Sequence, residues 1–174
     1  KWTHFCVISL RANDLRPMKI HCHPFMLMKI NQYTSTPLNI LYAEDDLDDR
    51  IFFEKVLSEI PIRINHTIIK NGELLMKYLH TTAGPLPDVV FLDLSMPLKT
   101  GFECLAEIKD NDKLKTLNVV MLTASFTRGT DLEDILKSTL AGMGAMDYIR
   151  KTGDFKQFKA VIQQTLYKIF KKAS

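Results

Sequence analysis

The chain has 174 residues, 46% hydrophobic and 25% charged, the balance of a globular protein with one domain and a further segment attached. No apolar run is long enough to span a bilayer, so membrane insertion is excluded as a reading. The net charge of +3 is misleading: Lys1, Arg11, Arg16, Lys19 and Lys29 against Asp14 alone give residues 1–36 a net +4, which leaves the remainder about −1 and no basis for direct nucleic-acid binding by the main domain.

Residues 1–36 show no sustained period of 2 or 3.6. They fit a signal peptide poorly, because His, Arg and Asn interrupt the apolar stretch and no small-residue cleavage site follows. His21-Cys22-His23 offers metal-ligating residue types, but adjacent ligands alone rarely complete a coordination shell. A disordered or non-native leader is expected here, with the natural start at Met28, Met26 or Met18 and a single domain over residues 37–174. Cys6, Cys22 and Cys104 have no paired or metal-type spacing, which reads as reduced thiols and a cytoplasmic location.

From Leu38 the pattern becomes regular. LNILYA (38–43) reads as a short buried strand. Asp46 or Asp48 can cap a helix reaching about Glu59, with Ile51, Phe52, Val56 and Leu57 at helical spacing and Pro61 stopping it. IRINHTII (62–69) reads as a strand, Asn71-Gly72 as a turn and ELLMKYLH (73–80) as a short amphipathic helix. DVVFLDL (88–94) is a buried strand that ends on an acid, and GFECLAEIKD (101–110) is a helix with Phe102, Leu105 and Ile108 on one side. LNVVMLTA (117–124) is a second buried strand, followed by a helix over 131–142 that ends at a glycine. AMDYIRK (145–151) is a strand with polar residues let in, and residues 154–172 form an amphipathic helix with Lys in its last turn.

Five strands alternating with five helices predict an α/β fold, a doubly wound five-stranded parallel sheet with helices on both faces. In such folds the functional crevice lies outside the C-terminal ends of the strands. Those ends carry Glu44 and Asp45, then Asp93, then Thr123 and Ala124, then Lys151. Converging acids repel one another unless a cation intervenes. An oxygen-only, strongly negative set suits a hard divalent ion such as Mg2+, and Lys151 adds a fixed positive charge.

These residues resemble the receiver domain of two-component response regulators over about residues 38–172. The resemblance rests on Glu44-Asp45 after the first strand, Asp93 with Met96-Pro97 and Gly101, Thr123-Ala124, and Gly144-Ala145 ahead of Tyr148 and Lys151. Each element is weak alone; together, in order and at the right strand ends, they are specific. The resemblance implies the flavodoxin-like (βα)5 fold and, with no further domain after Lys172, the single-domain type. It implies that Asp93 is the phosphoacceptor, taking a phosphoryl group from a sensor histidine kinase or a histidine phosphotransfer protein to give an aspartyl phosphate. Asp45, Asp93 and the Ser95 backbone carbonyl would hold Mg2+, with Glu44 acting through a coordinated water or as electrostatic support. Lys151 would pair with the phosphoryl oxygens and Thr123 would donate its hydroxyl to them. Tyr148 would then turn inward, changing a surface read by an unknown downstream protein. Small Ala124 would leave the site accessible, and Ser95 would influence hydrolysis. Such a protein is a phosphoacceptor that assists its own phosphorylation and dephosphorylation, not an enzyme acting on an external substrate.

The sequence departs from the family pattern at Glu44, where Asp is commoner, at Thr100, and at Thr152, which replaces the usual Pro and removes the familiar cis bond. The stretch from Thr123 to Lys151 is longer than the family norm. Asp48 and Asp49 read as an acidic first turn favoured by the helix dipole. Of the rival functions, an FMN carrier would need a glycine- and hydroxyl-rich phosphate loop where EDDLDD stands. An Asp-nucleophile phosphatase would need a second acid where Ser95 stands. A degenerate receiver would signal by binding without phosphorylation, and the full set of acids, Thr and Lys argues against it.

Overall fold

The computed structural model describes residues 36–123 and 130–173, and side chains within 36–123 and 132–169. The leader with His21-Cys22-His23, and Ala124 with the first part of the long 124–145 stretch, lie outside the described residues.

The elements are β1 (Leu38–Ala43), α1 (Leu47–Ser58), β2 (Ile64–Ile69), α2 (Gly72–Thr81), β3 (Val89–Asp93), α3 (Gly101–Asp110), β4 (Val119–Thr123), α4 (Thr130–Gly142), β5 (Asp147–Arg150) and α5 (Phe155–Ala173). All strand pairs are parallel, in the order β2-β1-β3-β4-β5. The expected doubly wound sheet is the one observed, and its winding reverses between β1 and β3.

The continuous apolar runs of β1, β3 and β4 follow from burial on both faces. Successive side chains alternate across a strand. Leu41 and Ala43, Val90 and Leu92, Val119 and Met121 pack with α2, α3 and α4. Leu38, Ile40 and Tyr42, Val89 and Phe91, Val120 and Leu122 pack with α1 and α5. Phe53 sits at the centre of the second layer, its ring 4.1 Å from that of Tyr42 and 5.1 Å from that of Phe91.

Local chemistry sets the helix starts. Asp46 caps α1 by accepting from the Asp49 N–H, and Asn71 caps α2 by accepting from the Leu74 N–H. Thr100 caps α3 in a reciprocal arrangement with Glu103, which explains a threonine at that position. Two details of the expectation change. The stripe that α1 buries is Phe53, Val56 and Leu57, at i, i+3 and i+4, while Ile51 is 55% exposed. Strand β2 starts at Ile64 rather than residue 62, because the Ile62 N–H turns back to the Ile60 carbonyl.

Candidate functional site

The strand ends beside the reversal of winding bring the acids together. Glu44 follows β1 directly and Asp93 is the last residue of β3; they are 1% and 5% exposed, whereas Asp45 is exposed. Glu44, Asp45 and Asp93 each offer a carboxylate oxygen within 4.8 Å of the other two. Two buried carboxylates side by side demand positive charge or donors.

Lys151, one residue beyond β5, supplies both. Its Nζ donates to Glu44 Oε2 at 2.5 Å, to Asp93 Oδ1 at 2.6 Å and to Asp49 Oδ2 at 2.7 Å. Its backbone N–H continues the β4–β5 ladder by donating to the Thr123 carbonyl at 2.8 Å, which fixes where the side chain begins. Burial works against the ammonium, but the hydrogen bonds to Asp49, Asp93 and Glu44 outweigh it and hold Lys151 above its ordinary pKa. Glu44 moves the other way from a simple ion pair. Its burial raises its pKa, and Lys151, although it lowers the value, does not cancel that effect.

Glu44 and Asp93 accept further hydrogen bonds. The buried Tyr42 hydroxyl donates to Glu44 Oε2 at 2.8 Å, and the Asp46 N–H donates to Glu44 Oε1 at 3.2 Å. The Ser95 N–H donates to Asp93 Oδ2 at 2.7 Å, so the loop after β3 folds back on its own strand end. That loop turns through Leu98 at φ 68° and closes where the Gly101 N–H meets the Leu94 carbonyl. A Cβ at Gly101 would stand 2.2 Å from the Asp93 carbonyl oxygen, so only glycine lets α3 begin this close to the acid.

Thr123 ends β4 and is 4% exposed. Tyr148 lies on β5 opposite Met121 and packs with the layer formed by α2, α3 and α4. Among the described residues its hydroxyl is buried without a hydrogen-bond partner, the Lys137 ammonium lies 5.6 Å from its ring, and burial raises its pKa. A cleft of about 310 Å3 opens beside the acids, lined by Tyr42, Asp49, Phe52 and Lys151 among others.

Glu44, Asp45, Asp93 and Lys151, singled out in the sequence, thus meet at one point, with Ser95 adjoining and Thr123 one strand away. Two residues were missed. Asp49 is more than an acidic first turn, because it bonds to Lys151. Tyr42 was read as strand core only; the alternation of a strand, which puts residues 42 and 44 on one face, was the available signal.

The model of the response regulator receiver domain matches residues 40–163, and the chain belongs to that family. Among curated proteins it is similar to Response regulator Rcp1 of Synechocystis sp., with 31% identity over 134 residues, 75% of this chain and 87% of the relative. Among solved structures it is similar to the Mn2+-bound form of Rcp1, with 30% identity and a TM-score of 0.62 over 74% of this chain and 91% of that one. It is also similar to the phosphorylated cyanobacterial phytochrome response regulator RcpA, with 26% identity and a TM-score of 0.64 over 75% of this chain and 91% of that one. Receiver domains bind Mg2+ or Mn2+ at an acidic pocket, and the all-oxygen donor set of Glu44, Asp45 and Asp93 fits a hard divalent ion. No helix among the described residues is long and apolar enough to cross a membrane.

Proposed function

We propose that the protein accepts a phosphoryl group on Asp93 from a phosphohistidine of a sensor kinase or phosphotransfer protein and signals through the resulting change of surface. The observation that carries this reading is the placement of Asp93: an acid at the end of a buried strand, 2.6 Å from Lys151 and grouped with Glu44 and Asp45. An Asp93 carboxylate oxygen attacks phosphorus, the N–P bond of the phosphohistidine breaks, and the electron pair returns to the imidazole, leaving an acyl phosphate. Lys151 holds phosphoryl oxygens, and Thr123 donates its hydroxyl to them once the group is attached. Asp45, Asp93 and the Ser95 carbonyl would hold Mg2+, with Glu44 supporting through a water or by its charge. The ion supplies charge neutralisation at the transferring group. Tyr148 is the element whose orientation answers to phosphorylation.

Intact mass after incubation with acetyl phosphate and Mg2+ tests the assignment, with wild type beside Asp93→Asn. One added phosphoryl group in wild type only, abolished by prior EDTA, is expected. A gain in both proteins would remove Asp93 from its role. No gain in either, with acetyl phosphate or a phosphorylated histidine phosphotransfer protein, would favour a receiver that acts by binding alone.

A further inference from the structure

Lys151 has one partner more than the proposed chemistry needs. An ammonium carries three donors and no acceptor. All three are committed here, to Glu44, Asp93 and Asp49. None is left for a phosphoryl oxygen, so phosphorylation requires Lys151 to release a carboxylate. Glu44 is the costly one to release, since it is 1% exposed and its Oε2 is also held by Tyr42. Asp93 becomes the phosphoryl carrier itself. The Asp49 side chain is 37% exposed, so water can take over its oxygen when the lysine leaves. Asp49 also adds a negative charge to the field that an incoming phosphoryl group must enter.

Resting on the assignment of Asp93 above, we propose that Asp49 is a positioning residue that holds Lys151 among the carboxylates in the unphosphorylated protein and hands it to the phosphoryl oxygens. The apparent affinity for the phosphoryl group is then reduced by the fraction of molecules in which Asp49 retains the lysine. The contact joins residues 102 positions apart, the first turn of α1 and the end of β5, so the exchange also loosens the tie between those two elements.

The test is beryllofluoride, an unreactive stand-in for the phosphoryl group, titrated by NMR at saturating Mg2+ into the full chain. Asp49→Asn is expected to tighten apparent binding about three- to tenfold, the effect of removing one nearby charge at high effective dielectric. It should lower the KM for acetyl phosphate without changing the maximal rate. Asp49→Glu, which keeps the charge, should return both towards wild type. Wild-type affinity, or weaker binding, in a folded Asp49→Asn overturns the proposal while leaving Asp93 in place. If wild type neither binds beryllofluoride nor gains a phosphoryl group, the assignment of Asp93 fails and this proposal fails with it.

Discussion

Lys151 Nζ lies 2.6 Å from Asp93 Oδ1 although strand β4 runs between the strands that lead to them. The side chain crosses the end of β4 and ties three elements, β1, β3 and α1, to the end of β5.

Replacing Lys151 with Met keeps the length of the side chain and removes the charge. Glu44 and Asp93 are then buried together without the ammonium that bonds to both. Removing one partner of a buried charge cluster costs about 3 kcal/mol. Urea unfolding at neutral pH in EDTA should show that loss, and added Mg2+ should restore part of it. Equal stability of variant and wild type in EDTA would mean that the cluster is solvated and the lysine dispensable.

Tyr42→Phe deletes one hydroxyl and leaves Glu44 Oε2 with Lys151 as its remaining donor. The aromatic contacts with Phe53 are kept, so the change isolates the hydrogen bond. A lost hydrogen bond to a buried charged acceptor is worth roughly 1.5–3 kcal/mol. The same unfolding experiment measures it, and a neutral result would show that water or Lys151 replaces the hydroxyl in full.

Gly101→Ala sets a methyl group against the Asp93 carbonyl, 2.2 Å away, and against Leu94 Cα at 2.9 Å. Both obstacles are backbone and cannot rotate aside. Overpacking of this kind costs about 1–3 kcal/mol. The strain falls on the peptide that carries Asp93, so beryllofluoride affinity should fall together with the melting temperature. Unchanged affinity in a folded variant would show that the carboxylate is positioned independently of its backbone.

Cys104 gives a pH dependence away from the acids. Burial is the main cause that raises its thiol pKa from 9.0 to about 11. The folded state therefore favours the neutral thiol. Its contribution to stability is complete below about pH 9 and is lost as pH rises towards 11, roughly 2–3 kcal/mol in all. Cys104→Ser should flatten stability across that window. Peptide mapping after alkylation at pH 8 should find Cys104 unmodified in the folded protein, and rapid modification there would show the helix α3 layer to be open.

Much of the fold was legible because strands buried on both faces leave uninterrupted apolar runs, and those of β1 and β3 run directly into Glu44 and Asp93, carboxylates that an apolar core does not hold unpaired. The face of α1 was less legible. Ile51, Phe52 and Phe53 are consecutive, and a short amphipathic pattern does not say which of three neighbours points inward; packing against Tyr42 and Phe91 selects Phe53. The site acids and Lys151 could be found because each stands at a strand end, where topology alone decides proximity. Asp49 could not be found that way. Its contact depends on how the first turn of α1 is angled over the end of β5, a tertiary quantity with no local signature.

Among the described residues the buried Tyr148 hydroxyl has no hydrogen-bond partner, which bears on how firmly its ring is held. A buried hydroxyl without a partner carries a penalty of about 1–3 kcal/mol. The ring is therefore held by its packing against an opposing cost, and a rotamer in which water satisfies the oxygen would recover that cost. A difference of that size is comparable to a single salt bridge or one crossed charge. For the switching role proposed for Tyr148, a modest local change is therefore enough, with no need to disturb the sheet on which the ring is mounted.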